Sequence, residues 1–341
     1  MAYTTIDDPS DYFNTKLYTG NGGTQAITGI GFAPNWVWIK RRSSTQKSGL
    51  YDTVRGATKV LASDATDAES THDALTAFGT DGFTLGNIGR TNTNNETYVA
   101  WNWKAGTSFT NDASGTGIGS IDSAGSVNTD AGFSIVTYTG TGSAATVAHG
   151  LGVAPKMIIN RTISASKDWI TYHASLGATK FVELNTTDAV ATSSDKFNNT
   201  EPTSTVFSIE SSSQNNTSGG TCLAYCFAEK QGYSKFGSYV GNGSSSGTYV
   251  HLGFKPAWLM IKKSSATEEW YMYDNKRTPF NEIAKGLAAN LSGAEFDTGA
   301  TIDFLSNGFK NTGTNTGTNA SGATYIYMAF AENPFVTSTG V

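Results

Sequence analysis

One pattern occurs three times along the 341 residues, and it constrains the fold more than any other feature. It opens with Leu17-Tyr18-Thr19-Gly20-Asn21-Gly22 and reaches GFAPNWVWIKRRS, which holds Pro34, Trp36, Trp38 and Lys40. It opens again as FSIVTYTGTGS around Tyr138, Gly140 and Gly142, and reaches GVAPKMIINRT with Pro155. A third opening, FGSYVGNGSS around Tyr239, Gly241 and Gly243, reaches GFKPAWLMIKKSS with Pro256, Trp258 and Lys262. From Tyr to Pro the spacing is sixteen, seventeen and seventeen residues. Repeats of this kind set the architecture, because each copy must fold as the same supersecondary unit.

The likeness continues beyond the openings. LYDTVRGATKVL, WITYHASLGATKFVELN and WYMYDNKRTPF follow a short polar loop in each copy, and each copy then has a turn before Phe83, Phe207 or Phe309. Each closes on an aromatic segment: TYVAWNWK, TCLAYCFAE or TYIYMAFAE. Trp36, Trp38 and Lys40 alternate with Val37 and Ile39, the period of a strand, with large residues on both faces. Gly-Asn-Gly and similar clusters supply hairpin turns, and each repeat proline sits where a strand would start. The reading is all-β: three tandem copies of a domain of about 90 to 100 residues, β-sandwich or jelly-roll-like. The copies span 17–104, 133–229 and 234–335, with an N-terminal arm over 1–16 and a C-terminal tail over 336–341. The Gly- and Ser-rich segment 105–132 reads as a linker. Helix is expected at most in NEIAKGLAANLS, Asn281 to Ser292.

Charge excludes several classes of function. Charged residues are 15% of the chain against about 25% in an average soluble domain, and the net charge is −5 with no run of five or more like charges, so nucleic acid is not expected as a partner. No apolar run approaches the length of a membrane span, and MAYTTIDDPSDYF is unlike a signal peptide, so no membrane insertion is expected. Cys222 and Cys226 lie roughly 13 Å apart if their segment is a strand, too far for a disulfide, and read as buried thiols. His72, His149, His173 and His251 are scattered, so neither a metal nor a cofactor is expected.

No residue set carries an enzymatic signature. Asp52 with Arg55, and Asp274 with Arg277, recur at one place in two copies and read as partly exposed ion pairs at strand ends. His149 and His251 precede the repeat proline without a nucleophile partner and read as turn caps. Glu183, Glu201, Glu210, Asp195 and Asp168 supply carboxylates to the middle copy, with nothing to mark a catalytic pair. Asp64, Asp67 and Glu69 lack the spacing of a calcium loop. Tyr18, Tyr138 and Tyr239 read as hairpin packing.

Taken with MAYTTIDDPSDYFNTKLYTGNGGTQAITGIGFAPNWVWIKRR, YVAWNWKAG and AHGLGVAPKMIINR, the chain resembles structural proteins of marine tailed bacteriophages, of the kind labelled tail fibre or virion protein. The resemblance covers nearly the whole chain and carries no catalytic residues. It implies a virion component assembled in the host bacterial cytoplasm: a tail fibre or host-recognition protein, or alternatively a capsid decoration, head fibre or tail adaptor. Fibres of this class imply a homotrimer that contacts other virion proteins and a host surface glycan. Trp36, Trp38, Trp101 and Trp103 exceed what one small core needs and are the expected interface. Asp7, Asp8 and Asp11 on the N-terminal arm, with Arg41 and Arg42 on the first copy, are the expected virion-docking set. Asn198, Asn215, Asn216, Asn315 and Asn319, in polar loops, are the expected glycan-facing set on outward-projecting second and third copies.

Overall fold

The computed structural model describes residues 4–334. The expected C-terminal tail, 336–341, lies outside the described residues, as do the first three residues of the arm. The protein is all-β. Its described helices are single turns of four residues, Gly89–Asn92, Ala113–Thr116, Ser194–Phe197 and Thr316–Asn319, with a 3-10 turn at Pro9–Asp11. The segment expected to allow helix is instead a strand, Ile283–Ala288, which pairs with the outer strand of the last group and buries Leu287 in the shared core.

The same strand order occurs three times. An opening strand pairs with a closing strand, the closing strand with an inner strand, and the inner strand with an outer one, all antiparallel. In the first group these are Phe13–Thr19, Thr97–Trp103, Trp36–Arg41 and Gly49–Asp52. In the middle group they are Phe133–Thr139, Thr221–Phe227, Met157–Thr162 and Ile170–His173. In the last group they are Ser234–Val240, Thr324–Pro334, Phe254–Lys263 and Trp270–Asp274. Trp36 stands opposite Trp103 and Trp38 opposite Trp101, so the alternation read from sequence puts all four indoles on one face. The other face carries Val37, Ile39 and Ala100, which a short second sheet covers to close a private core. The middle and last groups have private cores of their own, around Phe207 and Phe309.

The indole-bearing faces meet in one shared core. Trp36, Trp38, Trp101 and Trp103 of the first group pack with Phe133, Tyr225 and Phe227 of the middle group and Trp258, Met328 and Phe330 of the last. Trp36 stacks on Tyr225 at 4.4 Å between ring centroids, and Trp103 meets Trp258 edge-on at 5.6 Å. This corrects the interface expectation. All four tryptophans are at most 1% exposed within a single chain, and their surplus over one small core is taken up by the neighbouring groups.

Two further expectations change. The segment 105–132 is not an open linker: it forms strands Thr107–Asn111 and Ser123–Asn128, which add to the opening strand of the middle group. Their small residues are what permits this, since a Cβ on Gly125 would lie 1.9 Å from the Ile135 carbonyl oxygen. From Thr4 onward the arm lies against the chain. Its last residues are already in the opening strand, and Ile6 is 2% exposed in the shared core, so apolar burial holds the arm down. The first group is therefore not a separate docking domain from which the other two project.

Candidate functional site

The joints between strand groups are rich in polar contacts. Each inner strand runs into a loop that exchanges two backbone hydrogen bonds with the neighbouring group. Glu69 N donates to Ile163 O and Lys167 N to Thr66 O; Val190 N donates to Ser264 O and Glu268 N to Thr187 O; Glu295 N donates to Arg42 O and Gln46 N to Ser292 O. First joins middle, middle joins last, and last joins first, so the ring closes. The acceptors Arg42, Ile163 and Ser264 each stand two residues past a cation, Lys40, Arg161 or Lys262. Those cations reach the same neighbouring loops: Lys40 Nζ donates to Leu291 O, Arg161 Nη2 to Thr66 O, and Lys262 Nζ to Thr187 O. Burial lowers Lys40 and Lys262 to about 8 and Arg161 to about 10, the cost of taking a cation out of water.

A second set of contacts closes the same ring. Asp52 accepts from the Tyr225 hydroxyl at 2.8 Å and pairs with Arg55; Asp274 accepts from Trp101 Nε1 at 3.1 Å and pairs with Arg277. The two ion pairs are not the partly exposed features expected: their side chains are at most 2% exposed. At the corresponding place in the middle group, His173 Nε2 lies 3.1 Å from Tyr327 O, and burial holds its pKa down at about 4. Neutral His173 donates to that carbonyl through Nε2–H while Nδ1 accepts from Ser175 N.

The glycan-facing set divides. Asn216 and Asn319 are buried, and with Asn92 they do one job in the three groups: Oδ1 accepts from Thr141 N, Asn242 N or Asn21 N, while Nδ2 donates to Ser143 O, Ser244 O or Gly23 O. Each thus clamps the hairpin after an opening strand. Tyr138, Tyr239 and Tyr18 donate to the carbonyl of the residue before each clamp, namely Asn215, Thr318 and Thr91. Asn215 is also buried, its amide donating to Lys196 O. Asn315 caps the turn at Gly317, and Asn198 is exposed with a left-handed φ of 51°. The Asn-rich loops fold inward because their carboxamides satisfy turn backbone that would otherwise be buried unpaired.

The docking set divides as well. Arg41 is 9% exposed and donates to the Tyr98 hydroxyl, Gly89 O and Thr93 Oγ1; Arg42 is paired with Glu295 across the joint between last and first groups. Asp7, Asp8 and Asp11 are exposed, and Asp8 caps Ser10.

Among the carboxylates of the middle group, Asp168 and Glu183 both accept from Gln214 Nε2, at 2.9 and 3.0 Å. Glu183 is raised above the ordinary carboxylate range, by burial first and the Asp168 charge second. Neither lines the groove of about 430 Å³ between Asp112 and Tyr138, nor the one of about 250 Å³ beside Phe109. Glu201 accepts from Tyr172 and from Ala178 N. Asp64 is bound to Ser48, Asp67 to Lys47 and Glu69 to Arg55, and no group of three metal-ligating side chains exists among the described residues. Cys222 and Cys226 are buried and free. His149 is buried and lowered to about 4, with Nδ1 accepting from Leu151 N in the turn.

The chemistry these residues perform is closure: they satisfy backbone and charge where one strand group meets the next. No curated protein matches the chain. The match to a family model, described as a domain of unknown function (DUF7483), runs over residues 8–334 and so takes in all three strand groups and the inserted strands. The unit of that family is the whole ring rather than one group, and the chain belongs to it.

Proposed function

We propose that the protein is a non-enzymatic structural component of a tailed-bacteriophage virion, most specifically a tail fibre or host-recognition part, in which three copies of one sandwich-like β-domain are joined in a single chain. The closed ring of matching joints carries this reading. A ring held by repeated backbone bonds and a shared aromatic core is rigid without disulfides, and its neutral Ser-, Thr- and Asn-rich exterior is insensitive to salt screening. Fibre proteins reach threefold symmetry by assembling three chains, whereas here one chain supplies three units of like strand order, so a threefold arrangement does not require a homotrimer. Attachment runs through the exposed acidic strip Asp7, Asp8 and Asp11 rather than through Arg41 and Arg42, which are engaged internally. Glycan contact, if the tail position holds, falls to exposed loops such as that around Asn198 and not to the clamp asparagines.

Gold-labelled antibody against the purified chain, applied to particles of the phage that encodes it, tests this reading. Label on the tail is the expected result. Label on the capsid would replace the tail position by a decoration role. Absence of the chain from purified particles would overturn the virion reading altogether.

A further inference from the structure

The inserted strand Thr107–Asn111 ends the eight-stranded sheet of the middle group, and its outer edge is open. Three other edges are guarded. The opening strand of the first group has Thr19 O taken by Gln25 Nε2; that of the last group has Phe236 N taken by Glu229 and Val240 O by Thr248 Oγ1. The edge strand Leu75–Gly79 is broken by a bulge. Thr-Ser-Phe-Thr-Asn has no charge, proline or bulge, and no side chain among the described residues bonds the backbone of Ser108 or Thr110.

The ladder fixes which atoms are free. Gly140 N bonds Gly220 O, so in the opening strand of the middle group Ile135 and Thr137 face the insert. They pair with Ser126 and Ala124, which leaves Gly125 to bond Phe109. Alternation then turns the N–H and C=O of Ser108 and Thr110 outward.

We propose that this edge pairs antiparallel with the same edge of a second copy, about a twofold axis through Phe109. Ser108 and the partner's Thr110 exchange both backbone hydrogen bonds, as do Thr110 and the partner's Ser108. Phe109 faces the partner's Phe109 at the closely spaced, non-hydrogen-bonded position. The contact is self-complementary because the strand is uncharged, so no like charges oppose each other. An apolar groove beside Phe109, about 250 Å³, is lined by Ala148, Gly150 and Ile118, and Ile118 is 37% exposed. The partner's phenyl ring and its own Ile118 cover that groove.

Sedimentation equilibrium of the full chain, together with two variants, tests the proposal. The wild type is expected to form dimers at high micromolar concentration. Ser108→Pro removes an outward N–H that the protein's own ladder does not use, and should yield monomer with an unchanged circular dichroism spectrum. Phe109→Cys should form an interchain disulfide on oxidation, since Cα atoms about 4.5 Å apart are within bridging reach and both native thiols are buried. A monomeric wild type with no cross-link overturns the proposal. So does a dimer that survives Ser108→Pro, or an edge whose amides gain protection only when another protein is added.

Discussion

Two joints of the ring are held by buried ion pairs and the third by a neutral histidine, and the sequence shows why. The closing strands present Trp101, Tyr225 and Met328 at corresponding positions. The indole and the phenol each offer a donor, which Asp274 and Asp52 accept. Met328 offers none, so a carboxylate at residue 173 would be left buried and unpaired. His173 instead donates to the Tyr327 backbone, and Leu176, packed at the shared core, stands where Arg55 and Arg277 stand in the other groups. The contact between outer strand and neighbouring closing strand therefore needs a satisfied hydrogen bond; at that position it does not need a charge. That agrees with the general finding that a buried ion pair is costly to break yet replaceable as a set.

The largest effect that would break this comparison is removal of a whole group. A chain ending at residue 229 should not fold, since Trp101 and Trp103 lose Trp258 and Phe330; a cooperative unfolding transition in such a chain, followed by tryptophan fluorescence, would show that the groups are independent. Next is Asp52→Ala, which leaves Arg55 without its closest partner in a buried joint and should cost about 3 to 5 kcal/mol in denaturant unfolding. The set Asp52→His, Arg55→Leu and Tyr225→Met, which copies the third joint into the first, should cost less than that single change.

Acid should act through the histidines. His173 and His149 are lowered to about 4, below the unfolded value of about 6.5. Both are neutral in both states above about 6.5, so their contribution is fully present there. As pH falls from about 6.5 to about 4 the unfolded chain takes up protons that the folded chain refuses, and stability drops by on the order of 3 kcal/mol per histidine. Denaturant midpoints measured across that window should fall, and His173→Gln should flatten part of the slope. A pH-independent midpoint would place water at these sites. Smaller still are the clamps: Asn92→Ala, Asn216→Ala and Asn319→Ala should each cost about 1 to 3 kcal/mol, and by similar amounts, because each strands the same hairpin groups. Strongly unequal losses would mean that the three hairpins are not equivalent.

Strand class and pairing were legible because they rest on local alternation: the Trp-x-Trp segments do lie side by side. Lys40 and Lys262 were visible as part of the repeat, and their role was not, since a lysine at a strand end reads as solvated until a neighbouring loop is known to cover it. The clamps were hidden by composition. In loops crowded with Asn, Ser, Thr and Gly nothing distinguishes Asn216 from Asn198, yet one is buried under a hairpin and the other is exposed. The segment 105–132 misled for a related reason: small residues that lower strand propensity in isolation are what let a strand lie close against the opening strand of the middle group.

The central claim is that the ring is closed, and its weakest point by sequence is the joint between the last group and the first, whose partners are farthest apart along the chain. Residue-resolved hydrogen exchange reads that joint directly through the amides of Gln46 and Glu295, against those of Glu69 and Lys167 and of Val190 and Glu268. A closed ring predicts that all six exchange slowly and together, through global unfolding. Fast exchange at Gln46 and Glu295 alone, with the other four protected, would show an open chain of three groups and contradict the account.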